Sequence, residues 1–165
     1  MSPAARLACA LSLACAACGG DSNSLEGSLS SEVPLDFTGV SVEQSSSGIA
    51  VLYTKDLPGG SSADLVLKIT ATTTGLTLTG PLTIDLTQKV ASQPRGAVSR
   101  AVSGDARRDF PALLRGSITF SQAPTVGDTV SGSFTVTFIN DTSGSLGHGK
   151  TAFGNFSAVV KAAGQ

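Results

Sequence analysis

The stretch Val130–Phe138, VSGSFTVTF, decides the fold. In an extended chain successive side chains point to opposite faces. Val130, Gly132, Phe134, Val136 and Phe138 therefore share one side, and Ser131, Ser133, Thr135 and Thr137 share the other. One side suits a core and the other suits water, which is the pattern of a half-buried antiparallel strand.

The same period of two continues in both directions. Ile118 and Phe120 precede the stretch, and Phe156, Ala158 and Val160 follow it. Further upstream lie Leu82, Ile84 and Leu86, then Leu76 and Leu78, and Leu65, Leu67 and Ile69. Ile49, Val51 and Tyr53 form another set, and Leu35, Phe37, Val40 and Val42 one more. In the last set the register slips at Thr38-Gly39, where a bulge would restore it. Turn-forming clusters separate these runs, at Ser45–Gly48, Leu57–Gly60, Gly80-Pro81, Pro124–Asp128 and Asn140–Gly149. The best helical candidate, Ala106–Leu114, is interrupted by Pro111. The spacing predicts an all-β domain over residues 25–165. It is an antiparallel β-sandwich, or a partly closed barrel, of about eight to nine strands preceded by a signal peptide.

The N-terminus reads MSPAARLACALSLACAAC. Arg6 leads into an apolar run from Leu7 to Ala17, too short to span a bilayer and laid out like a secretory signal. Cys18 after two small residues resembles the lipobox of bacterial lipoproteins, in which the cysteine becomes the lipidated first residue. Cys15 departs from that pattern, since the family usually has Leu three residues before the lipidated cysteine. The resemblance implies a signal peptide over residues 1–17, lipid on Cys18 and a small polar tether over residues 18–24. An ordinary, unlipidated signal peptide is the alternative. All three cysteines, Cys9, Cys15 and Cys18, lie in this segment, so the domain itself has no disulfide to stabilise it.

ACGGDS, EGSLSS, VSGSFTVTF and GNFSAVV also give the chain a likeness to the small, glycine-rich, all-β predicted lipoproteins common in myxobacteria. That group has no established activity, so the likeness implies an exported, lipid-anchored place in the cell envelope and a fold. It carries over no catalytic residues. Gly19 at the second mature position, rather than Asp, points to the outer membrane by the sorting rule of enteric lipoproteins.

Charge is segregated along the chain. Residues 19–88 hold eight acidic and two basic side chains, whereas residues 89–116 hold six basic and two acidic ones. Arg95, Arg100, Arg107, Arg108 and Arg115 are thus a candidate site for an anionic envelope polymer, a lipid head group or an acidic protein partner. The alternative is that they neutralise the acidic strands. The overall balance gives no reason to expect a nucleic-acid ligand.

Gly144–Thr151, GSLGHGKT, matches the phosphate-binding G-x-x-x-x-G-K-[ST] pattern letter for letter. That loop works only between a strand and the N-terminus of a helix. Here the following residues, AFGNFSAVV, resume period two. Gly144, Gly149, Lys150 and Thr151 are therefore read as a chance match in a strand-to-strand connection, with no nucleotide bound and Lys150→Ala without effect. His148, the only histidine, is expected in solvent within that loop. No cluster of ligand residues predicts a metal or cofactor, and no spaced acid pair predicts glycoside hydrolysis. The reading is a non-catalytic structural or binding module tied to a membrane through Cys18. An envelope-polymer hydrolase and a small inhibitor of secreted hydrolases are its rivals.

Overall fold

The computed structural model describes residues 23–60, 62–102, 106–140 and 146–164. The signal peptide, Cys18 and the tether up to residue 22 lie outside the described residues, as does Gly144. Eleven strands are present among the described residues. They are β1 (Gly39–Gln44), β2 (Gly48–Asp56), β3 (Ala63–Thr72), β4 (Leu82–Asp85), β5 (Lys89–Val90) and β6 (Gln93–Pro94). β7 (Gly96–Ala101), β8 (Arg108–Asp109), β9 (Leu113–Phe120), β10 (Thr129–Phe138) and β11 (Thr151–Ala162) complete the set. The one helical element among them is a 3₁₀ turn, Ser28–Ser31.

Nine strands form one sheet in the order β4-β9-β10-β11-β1-β2-β3-β7-β8, while β5 and β6 make a separate small hairpin. The all-β fold is as the alternation predicts. Seven of the eight neighbouring pairs are antiparallel, and β1 lies parallel to β11, with Val42 opposite Val160. The sheet is mixed for that reason. β10 keeps the expected register, with Val130, Phe134, Val136 and Phe138 buried and Ser133 and Thr135 exposed. Gly132 completes the inner row because Phe156, its partner on β11, lays its ring where a Cβ would stand. That ring meets Phe120 of β9 at a centroid distance of 5.4 Å.

The sheet folds over on itself around a single core, in a sandwich-like arrangement. Tyr53 of β2 meets Phe134 of β10 at 5.7 Å and donates its hydroxyl to the Asn155 carbonyl of β11 at 2.9 Å. Burial pushes the Tyr53 phenol well above its ordinary pKa, so it stays a neutral donor. Phe110, just after β8, stacks on Phe138 at 5.1 Å. Leu86 ties the two ends of the sheet: its N–H donates to Gly116 of β9, and its carbonyl accepts from Gly96 of β7. The tie stops there, and no closed barrel forms. Full burial of each such aromatic or aliphatic side chain contributes about 1.5–3 kcal/mol, which is how a chain without disulfides in this domain holds together.

Three local readings change. Thr38 is a bend ahead of β1 rather than a bulge within it, since β1 begins at Gly39. Leu76 and Leu78 lie in the loop after β3, half-buried and outside any strand. Asn23 and Ser24 belong to the domain, not to a free tether. Glu26 and Phe153 exchange both backbone hydrogen bonds, at 2.8 and 2.9 Å, and Ser24 N–H donates to Asn155 at 3.0 Å. The Asn23 side-chain oxygen accepts from Ser157 N–H at 2.6 Å. Residues 23–26 thus run antiparallel along β11 up to where β1 takes over that edge.

Candidate functional site

The loop that matches the phosphate-binding pattern enters β11 directly, so no helix N-terminus stands behind it. Its functional groups are taken by the chain's own residues 28–32. The Glu32 carboxylate accepts from Gly147 N–H at 2.6 Å and pairs with Lys150 Nζ at 3.5 Å. Lys150 Nζ also donates to Ser31 Oγ at 3.0 Å. The Thr151 hydroxyl, which in a nucleotide site would face the metal, lies 3.2 Å from Ser28 Oγ. Where a phosphate would lie, an internal carboxylate already accepts the loop's hydrogen bonds.

Because that carboxylate holds the loop down, the expectation for Lys150→Ala needs correcting. With the pair about a third exposed, its loss should cost roughly 0.5–1 kcal/mol rather than nothing. Glu32→Ala should cost more, about 1–3 kcal/mol, because buried Gly147 N–H then loses its acceptor. Urea unfolding of both variants checks the order, and a larger loss for Lys150→Ala would refute this account of the loop. His148 departs from its expected exposure as well: it is half-buried, with Nδ1 enclosed by protein.

The five arginines do not form one exposed face. Arg95 is 6 % exposed, and its guanidinium donates to the carbonyls of Thr72 and Thr74 and to Gln88 Oε1. It clamps the loop after β3 to the base of the β5–β6 hairpin, whose tip residues Ala91 and Ser92 both have positive φ. Arg100 is 8 % exposed. Arg95 and Arg100 are therefore structural, and the anion-site reading loses them. Arg107, Arg108 and Arg115 are exposed. Arg115 stands opposite Thr137, and Arg107 and Arg108 shortly precede Phe110, which stacks on Phe138. All three thus gather at the Phe138 end of β10. Arg107 shares its charge with Asp109 at 3.2 Å.

Sequence reasoning did not foresee a groove on the outer face of β1, β2 and β3. It is an open cavity of about 350 Å³ lined by Glu43, Ser45, Ser47, Lys68, Thr70 and Thr72. Lys68 and Glu43 bond at 3.2 Å across β2, above Ala50 and Leu52. Those two are buried on the face that period-two logic assigns to water. The hydroxyls of Ser45, Thr70 and Thr72 donate to backbone carbonyls. The volume is near the lower limit of small-molecule sites, and these polar groups already have partners. Asp85 shows the same economy: the hydroxyl and N–H of Thr87 hold its carboxyl below the usual carboxylate range.

Among the described residues no three His, Cys, Asp or Glu side chains gather as a metal site requires. No helix among them is long and apolar enough to cross a membrane. No protein-family model, no curated protein and no solved structure matches this chain.

Proposed function

We propose that the protein is a lipid-anchored β-module of the bacterial cell envelope, held at the outer membrane through lipid on Cys18, with a non-catalytic structural or binding role. The observation that supports this most is the junction between anchor and domain. Cys18 stands five residues before Asn23, and Asn23 is already bonded to the centre of β11. A lipid on Cys18 would therefore hold the folded domain directly, with almost no free chain between. The polar groups described above serve to hold loops: Glu32 fills the glycine loop, Arg95 caps carbonyls, and Lys68 pairs with Glu43. Arg107, Arg108 and Arg115 are exposed, Arg107 also pairing with Asp109, and their planar cations suit phosphate and carboxylate. The ligand class of this reading is an anionic envelope component.

Cys18→Ser should move the protein from the membrane to the soluble fraction, or leave it unprocessed. A mature chain of unmodified mass would overturn the anchor. The unlipidated domain should be retained on anionic envelope polymer at 0.1 M salt, where charges are screened over about 10 Å, and released at 1 M, where the length is about 3 Å. Arg107→Ser with Arg108→Ser should weaken that retention, and retention indifferent to salt would remove the arginines from the proposal.

A further inference from the structure

We propose that the outer row of β11, with the neighbouring residue Val126, is the face this domain lays against the lipid bilayer. The inference rests on lipidation of Cys18 and goes on to assign the orientation of the domain above its anchor. Five residue steps separate Cys18 from Asn23. Fully extended, they reach at most about 18 Å. β11 has twelve residues, which span roughly 40 Å. Asn23 is bonded at Ser157, near the middle of that strand. The lipid attachment point therefore cannot lie farther from Asn23 than about half the strand's length.

The direction of the chain narrows the choice further. Residues 26 to 23 run antiparallel to β11 and so head towards its Ala162 end. Among the described residues four large apolar side chains are exposed: Leu114, Val126, Phe153 and Val159. Phe153 and Val159 share the outward row of β11 with Asn155, Ser157 and Lys161. Val126 lies in the turn fastened to β11 by Gly127 N–H on the Val160 carbonyl and Val160 N–H on Asp128. Val159 and Val126 thus lie beside the point where the tether leaves, whereas Phe153, opposite Thr135, and Leu114 lie towards the Phe138 end.

The borders of this face set the depth of contact. Lys161 favours anionic head groups, while Asp128 and Glu26 at its edges oppose deep entry. The contact is shallow: it fixes which way the domain faces, and the lipid supplies the affinity.

The test uses the full mature lipoprotein in vesicles of phosphatidylethanolamine and phosphatidylglycerol. Cys9 and Cys15 precede Cys18 and leave with the leader, so single cysteines can be labelled cleanly. Val126→Cys, Val159→Cys, Leu114→Cys and Lys55→Cys, all at exposed positions, each carry an environment-sensitive fluorophore. Quenching by head-group-level quencher lipids should be roughly threefold or more stronger at 126 and 159 than at 114 and 55. Intact mass of the same samples reports the lipid on Cys18. Lipid present with equal quenching at all four sites, or stronger quenching at 114 or 55, overturns the orientation while leaving the anchor standing. Absence of the lipid overturns both.

Discussion

Phe134→Ala should lower the free energy of unfolding by about 3–5 kcal/mol, and Thr135→Ala, one residue along the same strand, by well under 1 kcal/mol. The two positions are neighbours on one strand and face opposite ways. Phe134 is 3 % exposed, with its ring 5.7 Å from that of Tyr53 and placed over Gly154, its partner on β11. Truncation removes the ring from both layers of the core at once. The opposite layer also loses the packing that lets Tyr53 deliver its hydroxyl to Asn155. Thr135 is exposed between Ser117 and Phe153 and gives up little when its hydroxyl and methyl go. A loss of 3–5 kcal/mol is a large share of the 5–15 kcal/mol that holds a typical domain. Urea unfolding of the mature domain reads both values. Equal costs would refute the facing of β10, and with it the core described here.

Why this strand could be read from sequence while others could not is a matter of which interactions write the pattern. β10 has core on one side and water on the other, so each residue records its own environment. β2 does not, because Ala50 and Leu52 are covered on the outer side by the Glu43–Lys68 pair contributed from β1 and β3. The parallel contact of β1 with β11 joins residues more than a hundred positions apart and leaves no local signature. The same holds for the site residues. Lys150 and Thr151 fit a motif letter for letter, but the group that fills their loop, Glu32, comes from the other end of the chain and matches no motif. Arg95 and Arg100 looked like surface charge in a basic segment. The structure buries both, and Arg95 finds its acceptors on the loop after β3 and on Gln88. Composition reports that a charge exists, and only the fold reports what it faces. The reading of Cys18 is of another kind, since a signal segment is read by its linear order alone and lies outside the described residues.

Gly154→Ala should cost roughly 2–4 kcal/mol, although it adds a single methyl group to a strand. The added carbon would run into the Ser24 carbonyl and lie 3.1 Å from Cε1 of Phe134. One obstacle is backbone and the other a ring packed in the core, so neither can swing aside as the end of a flexible side chain could. The easiest relief is for residues 23–26 to lift from β11. That gives up Ser24 on Asn155, the Glu26–Phe153 pair of bonds, and the side-chain bonds of Ser24 and Asn23 to the N–H groups of Asn155 and Ser157. Each is worth about 0.5–1.5 kcal/mol net of its exchange with water. Leu25, 8 % exposed in the folded domain, would also return to solvent. Ser133→Ala, on the exposed side of β10 opposite Asn155, is the matched control and should change stability by less than about 0.5 kcal/mol. Hydrogen exchange should show lost protection at the amides of Phe153, Asn155 and Ser157, with β9 and the rest of β10 unchanged. Those three amides unprotected already in the parent, with stability unchanged by Gly154→Ala, would mean that residues 23–26 are not held by β11. The anchor would then connect to the domain through a longer free chain, and the short reach that orients the domain on the bilayer would be gone.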